Sequence, residues 1–125
     1  MGADVHLNLP CHASSVREAR LAVAALARRA GMPDERIEDL RLAVSEAATN
    51  AIQHGVDGSG DVSVNASVAQ GELRVWITDK GGGMRPRPDS PGLGLGLPII
   101  ASLTDHLEIV TDDEGTTVEM TFVCG

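Results

Sequence analysis

A long helical run ending at Gly55 constrains the fold of this chain more than any other stretch. At about 100° per residue, Ile37, Leu40, Val44, Ala47 and Ala51 gather on one face. A helix with a single apolar face needs a second layer to bury it. Within the same run, from Arg41 to Gly55, the residues Glu46, Asn50 and His54 recur every four positions. They form one polar stripe roughly 90° from the centre of the apolar face. That is the shoulder of the buried side, where a carboxylate and an amide can look into a cavity at the edge of a core. Alone, such a stripe is no more than the wet side of an amphipathic helix.

The flanking periodicities supply the second layer. Val5, Leu7 and Leu9 alternate with polar residues and end at Pro10, predicting a short strand. Ser15 and Glu18 have capping-box spacing ahead of a helix from Ser15 to Arg29, which Gly31 closes. Pro33 and Asp34 open the second helix. Val62, Val64 and Ala66, then Leu73, Val75 and Ile77 up to Asp79, alternate as two strands joined through Gln70 and Gly71. From Lys80 to Gly92 the chain reads as a loop, with Pro86, Pro88, Pro91 and then Pro98 concentrated there. A helix from Leu97 to Leu103 follows, then strands from Leu107 to Thr111 and from Thr117 to Val123 around a turn at Asp112 to Gly115. This order predicts an α+β two-layer sandwich, a mainly antiparallel sheet covered on one face by helices. At 125 residues, the chain is expected to form a single domain over 1–125.

Composition narrows the function classes. Trp76 and Phe122 are the only aromatic residues, so the core is aliphatic and no base-stacking surface for single-stranded nucleic acid is present. A net charge of −8 argues against direct nucleic-acid binding and favours basic partners. Cys11 and Cys124 stand far apart with no C-x-x-C spacing, so reduced thiols are expected, with neither a zinc site nor a dithiol redox motif. No apolar run is long enough to cross a membrane, the start lacks signal-peptide character, and His6 breaks the myristoylation pattern. A cytoplasmic protein is expected.

Two glycine clusters carry the remaining chemistry. Ile77-Thr78-Asp79-Lys80-Gly81-Gly82-Gly83 ends a strand on a carboxylate and follows it with backbone that a ligand can approach closely. Gly92-Leu93-Gly94-Leu95-Gly96-Leu97 directly precedes the predicted helix, where free amides suit phosphate. Each cluster alone could be a turn or a hinge.

Glu46-x-x-x-Asn50, Asp79-x-Gly81-x-Gly83, Gly92-x-Gly94-x-Gly96 and Gly115-Thr116 occur in this order. The set resembles the ATP-binding boxes of the superfamily of gyrase, histidine kinases and MutL, from about Leu9 to Phe122. The small size, the short lid and the lack of a phosphoacceptor helix domain resemble its anti-sigma factor serine kinases. The resemblance implies the Bergerat ATP-binding fold, with ATP and Mg2+ as cofactors. It implies that Asn50 holds the magnesium and Glu46 is the general base. Asp79 would accept a hydrogen bond from the adenine amine, with Thr116 beside it through water. Gly81 and Gly83 would leave room for base and ribose, and Gly92, Gly94, Gly96 and Leu97 would wrap the phosphates. His54 fits the same pattern but is read here as a helix-end residue favoured by the dipole. Met84 stands where the family commonly has an aromatic residue, and Leu93 where many members have a base. Neutralisation of the γ-phosphate then falls to Lys80, Arg85, Arg87 or magnesium. The partners implied are a sigma factor and a STAS-type anti-sigma factor antagonist, and the resemblance favours a homodimer. The alternative is a non-catalytic nucleotide-binding module that orders a partner surface; a detached sensor histidine kinase fragment is a third reading.

Overall fold

The computed structural model describes residues 5–54, 61–79, 91–112 and 115–124, without the side chains of 54 and 91–96. The elements run β1 (Val5–Pro10), α1 (Ser14–Arg29), α2 (Asp34–His54), β2 (Asp61–Ala69), β3 (Glu72–Asp79), α3 (Pro91–Leu103), β4 (His106–Asp112) and β5 (Gly115–Val123). The five strands form one sheet in the order β1-β2-β3-β5-β4, every neighbouring pair antiparallel. The α+β sandwich expected from the sequence is the fold observed.

The core lies between the helices and one sheet face. Period two puts Val62, Val64, Ala66, Leu73, Val75, Ile77, Val118, Met120 and Phe122 inward. They meet Ala19, Val23 and Ala27 of α1 and Ile37, Leu40, Val44, Ala47 and Ala51 of α2, all buried. Short alanine side chains let the helix backbones lie close to the branched residues of the sheet. The opposite sheet face, with Trp76 and Thr78, has no helix over it among the described residues, and these two side chains are only partly buried.

Local chemistry sets the element ends. Gly31 has φ 83, and the bonds Gly31 N to Arg28 O (3.1 Å) and Met32 N to Ala27 O (3.1 Å) form a Schellman closure of α1. Gln70 and Gly71 both have positive φ, 55 and 79, as a two-residue hairpin turn requires. The expected capping box at Ser15 does not form. Ser15 lies inside α1, where its hydroxyl donates to the Pro10 carbonyl at 2.7 Å and ties the end of β1 to the helix. The Ser14 amide donates instead to His12 Nδ1 at 3.2 Å.

The third helix also departs from expectation. It begins at Pro91 rather than Leu97, so the second glycine cluster lies within its first turns instead of ahead of it. Proline at the first helical position is pre-organised for a helix start, which offsets the low propensity of the glycines. Pro98 lies inside the helix and has no N–H, so the carbonyl four residues earlier, that of Gly94, loses its usual donor. The loop expected from Lys80 to Gly92 falls largely on 80–90, outside the described residues.

Arg36 fixes the far end of α3. Its guanidinium donates to the Leu103 carbonyl (2.7 Å), to Asp39 (3.0 Å) and to Asp105 (2.5 Å), and lies 5.2 Å from the centre of the Phe122 ring. Asp105 also accepts from the Val123 amide at 2.8 Å. That amide, with help from Arg36 and against partial burial, holds the Asp105 carboxyl below the usual carboxylate range. A carboxylate with a depressed folded-state pKa contributes stability above its unfolded pKa, and the contribution is lost as pH falls through the folded value. Asp105→Asn is therefore expected to lower stability near neutral pH, with the gap from the native chain closing as pH falls through the lowered folded-state value of the carboxyl. Urea titrations at several pH values check this; a gap unchanged at low pH would deny the carboxylate its role.

Candidate nucleotide site

The candidate site combines α2 with the end of β3, two elements packed against each other. Strand register aligns Leu9, Val62, Asp79, Thr116 and Thr111 in one row across all five strands, on the face toward the helices. Asp79 and Thr116 are thus direct cross-strand neighbours, 1% and 0% exposed. Burying a carboxylate and a hydroxyl at the end of an aliphatic sheet is costly without polar partners. Thr116 shares a hydrogen bond with Thr111, their hydroxyl oxygens 3.3 Å apart.

Helix α2 supplies the second half. Asn50 is 3% exposed, and its Nδ2 has no hydrogen-bond partner among the described residues. The two ends of a side-chain amide exchange by a half-turn, so the vacant end can be donor or acceptor. Glu46, one turn earlier, is half-buried at the helix edge. The shoulder position predicted for the stripe is therefore real for both residues: the amide is inside and the carboxylate is at the rim. For His54 the structure describes only the backbone, which ends α2.

The start of α3 carries the second glycine cluster. Gly92, Gly94 and Gly96 occupy its first turns, and Leu97 is half-buried against the core. The first amides of an α-helix have no intrahelical acceptor; here they belong to residues 92–94, since Pro91 has no N–H. Gly81, Gly83, Lys80, Met84, Arg85 and Arg87 lie outside the described residues.

Cys11 was missed by the sequence reasoning. The inward alternation of Val5, Leu7 and Leu9 continues to it, two residues past Leu9, the β1 member of the Asp79 row. Burial, then the carboxylates of Asp79 and Asp61, push its thiol pKa up. Both cysteines are free.

The profile of the histidine kinase-like ATPase domain matches residues 9–122. This chain belongs to the histidine kinase-like ATPase family. It is 35% identical to the serine-protein kinase RsbW of Bacillus pumilus, over 94% of this chain and 83% of that one. It is 31% identical to RsbW of Bacillus thuringiensis, over 94% and 82%. Within the family it is a protein serine kinase, as the resemblance implied. The RsbU and RsbW domains of a Mycobacterium tuberculosis protein superpose with a TM-score of 0.79 at 25% identity, over 98% of this chain and 32% of that one. A chain of the SiaB–SiaC complex from Pseudomonas aeruginosa shares the fold, with a TM-score of 0.70 at 12% identity.

An ATPase-family site should accept a nucleotide, and the side chains present fit one. A buried amide whose Nδ2 has no partner among the described residues, a buried carboxylate beside a threonine, and a helix start whose first amides have no intrahelical acceptor are groups that would suit a phosphate-bound metal, a base and phosphates. No cluster of three or more His, Cys, Asp or Glu able to hold a metal occurs among the described residues. A magnesium ion held here would take most of its oxygen ligands from phosphate and water, as this ion commonly does. No helix among the described residues is long and apolar enough to cross a membrane.

Proposed function

We propose that this single-domain kinase uses magnesium and ATP to phosphorylate a serine of a STAS-type anti-sigma factor antagonist, and that it also binds a sigma factor in a cytoplasmic partner-switching pathway. The observation that carries the reading is the pairing on α2 of a buried amide with a vacant end and a half-buried carboxylate one turn away. Asn50 would hold the magnesium, which supplies charge neutralisation at the phosphates. Asp79, with Thr116 beside it, would select adenine. Gly81 and Gly83 would admit base and ribose, while Gly92, Gly94, Gly96 and Leu97 would enclose the phosphates.

Glu46 would accept the proton of the antagonist serine as its oxygen bonds to the γ-phosphorus and the bond from that phosphorus to the ADP oxygen breaks. Phosphoryl transfer depends mainly on alignment and electrostatics, and a carboxylate within reach of the attacking hydroxyl supplies the base. The added phosphate charge would then release the antagonist. The names of the RsbW relatives support the serine kinase part, and the net charge of −8 suits a basic sigma factor. A homodimer is part of the same reading.

The test is calorimetric titration with ATP with and without magnesium, followed by transfer of labelled phosphate to a panel of purified candidate antagonists. Glu46→Gln is expected to keep ATP affinity and lower transfer by about 10²–10⁴-fold. Magnesium-dependent binding with no transfer to any antagonist would leave the non-catalytic module. Absence of ATP binding would remove both readings.

A further inference from the structure

Strand β4 is an open edge of the sheet. It pairs with β5 on one side, and in the order β1-β2-β3-β5-β4 no strand lies on its other side. Along that side its backbone has no ladder to join among the described residues. The pairing with β5 runs unbroken from His106 opposite Thr121 to Asp112 opposite Gly115, so no bulge turns the edge away. Neither proline nor lysine interrupts it. The other edge is better protected, since α1 packs beside β1 and Pro10 ends it.

The side chains of β4 give this edge a definite chemistry. Leu107, Ile109 and Thr111 alternate onto the helix side, opposite the buried Met120, Val118 and Thr116. Helix α3 packs mainly on α2 and covers β4 poorly. Leu107 is half-buried, Ile109 is 39% exposed, and Val110 on the outer face is 50% exposed. Also on the outer face, Glu108 stands directly opposite Glu119. Like charges in directly opposite positions destabilise a sheet. Among the described residues the one cationic group near Glu108 is His106 Nε2 at 3.5 Å, charged only when protonated, and Glu119 has none. A cation brought to this pair would therefore relieve a cost that the free protein carries.

We infer that the β4 edge receives an extended basic segment of a partner protein. The segment adds to the sheet as a further strand, with cationic side chains over Glu108 and Glu119 and aliphatic side chains against Leu107 and Ile109. In strand addition the main-chain hydrogen bonds supply affinity and the alternating side chains supply specificity. A second copy of this chain fits less well, because its β4 would bring another Glu108 and Asp112 to the junction and no Lys or Arg. The acids thus act against self-pairing of an open edge while favouring a cationic strand. This inference stands apart from the kinase reading.

The probe is a fluorescein-labelled peptide of alternating lysine and valine, about nine residues long so that it spans β4 at roughly 3.4 Å per residue. Its dissociation constant is measured against the full chain by fluorescence anisotropy at low and high salt, and amide hydrogen exchange of the native chain is followed with and without it. Saturable binding that weakens with salt is expected, with exchange slowed in β4. A peptide of the same composition, its lysines and valines in two separate blocks, should bind at least about tenfold more weakly, because it cannot place one residue type on each face. The double variant Glu108→Lys/Glu119→Lys should lose the lysine peptide by at least about tenfold and gain an alternating glutamate–valine peptide. Ile109→Lys, at an exposed position, should weaken the lysine peptide by a similar factor with ATP affinity and melting temperature unchanged.

Absence of saturable binding by the native chain overturns the inference. Equal binding of the alternating and blocked peptides overturns it too, since charge alone would then suffice. Exchange protection that falls on another element with β4 unchanged assigns the peptide to a different surface, and this readout needs no variant to fold. A native chain that self-associates, becomes monomeric on Ile109→Lys and ignores the peptide would give the edge to a second copy instead.

Discussion

Asn50→Ala is expected to abolish magnesium-dependent ATP binding and, in the same protein without nucleotide, to raise the melting temperature. The two effects have one source. The native amide is buried with its Nδ2 unpartnered among the described residues, and an unsatisfied buried polar group costs the folded state about 1–3 kcal/mol. Alanine removes that cost and is the better helix former by roughly half a kcal/mol. Against this stands the small void left by the amide, in a site that solvent can fill. A net gain of about 1 kcal/mol would move the midpoint by roughly 4 °C in a chain of this size. Calorimetric scans of both proteins must be made without nucleotide, because a ligand that binds only the folded state stabilises it by mass action. With magnesium and ATP added, the native midpoint should rise and the variant's should not. A variant that melts lower yet binds ATP with native affinity would show the amide to be structural, and the assignment of the metal position would fail.

That a stabilising substitution is expected to be a disabling one is why this part of the candidate site stands out in the sequence. Glu46 and Asn50 interrupt a run of alanines at positions where packing alone would favour further apolar residues. The alternation of β2 and β3, and the turn at Gln70 and Gly71, were equally plain, since periodicity and backbone sign are local properties. Features that depend on distant residues were not legible. The hydroxyl of Ser15 has capping-box spacing, but the Pro10 carbonyl competes for it and is paired with it only once β1 folds against α1. Helix α3 starts six residues before the expected boundary. Glycine content argued for loop, whereas Pro91 and packing of the helix against α2 outweigh intrinsic propensity. The Arg36 clamp was invisible because its acceptors at Leu103 and Asp105 lie 67 and 69 residues away. Cys11 could have been found by carrying the inward alternation of β1 two residues further.

Phe122→Ala is expected to have the largest effect on stability. The ring is fully buried, is paired across the sheet with Leu73, and supports the Arg36 guanidinium at 5.2 Å. Removing a buried phenyl group costs about 3–5 kcal/mol, and loss of a partly desolvated cation–π contact adds about 1 kcal/mol. A domain has only about 5–15 kcal/mol in total, so the variant should be partly unfolded at 37 °C. Phe122→Leu separates the two contributions, because it keeps most of the apolar volume and removes only the ring face. It should fold, with a denaturant midpoint between those of the native chain and the alanine variant. The consequence for the site is indirect: the same guanidinium holds the Leu103 carbonyl at the end of α3, the helix whose first turns carry Gly92, Gly94 and Gly96. Phe122→Leu is therefore expected to weaken ATP binding by a few-fold at most if the clamp survives on its carboxylates alone, and by more if the ring is needed to hold the arginine in place. A loss of less than about 1 kcal/mol in Phe122→Ala would mean that the end of the sheet repacks around the void, and the clamp would then be supported by Asp39 and Asp105 without the ring.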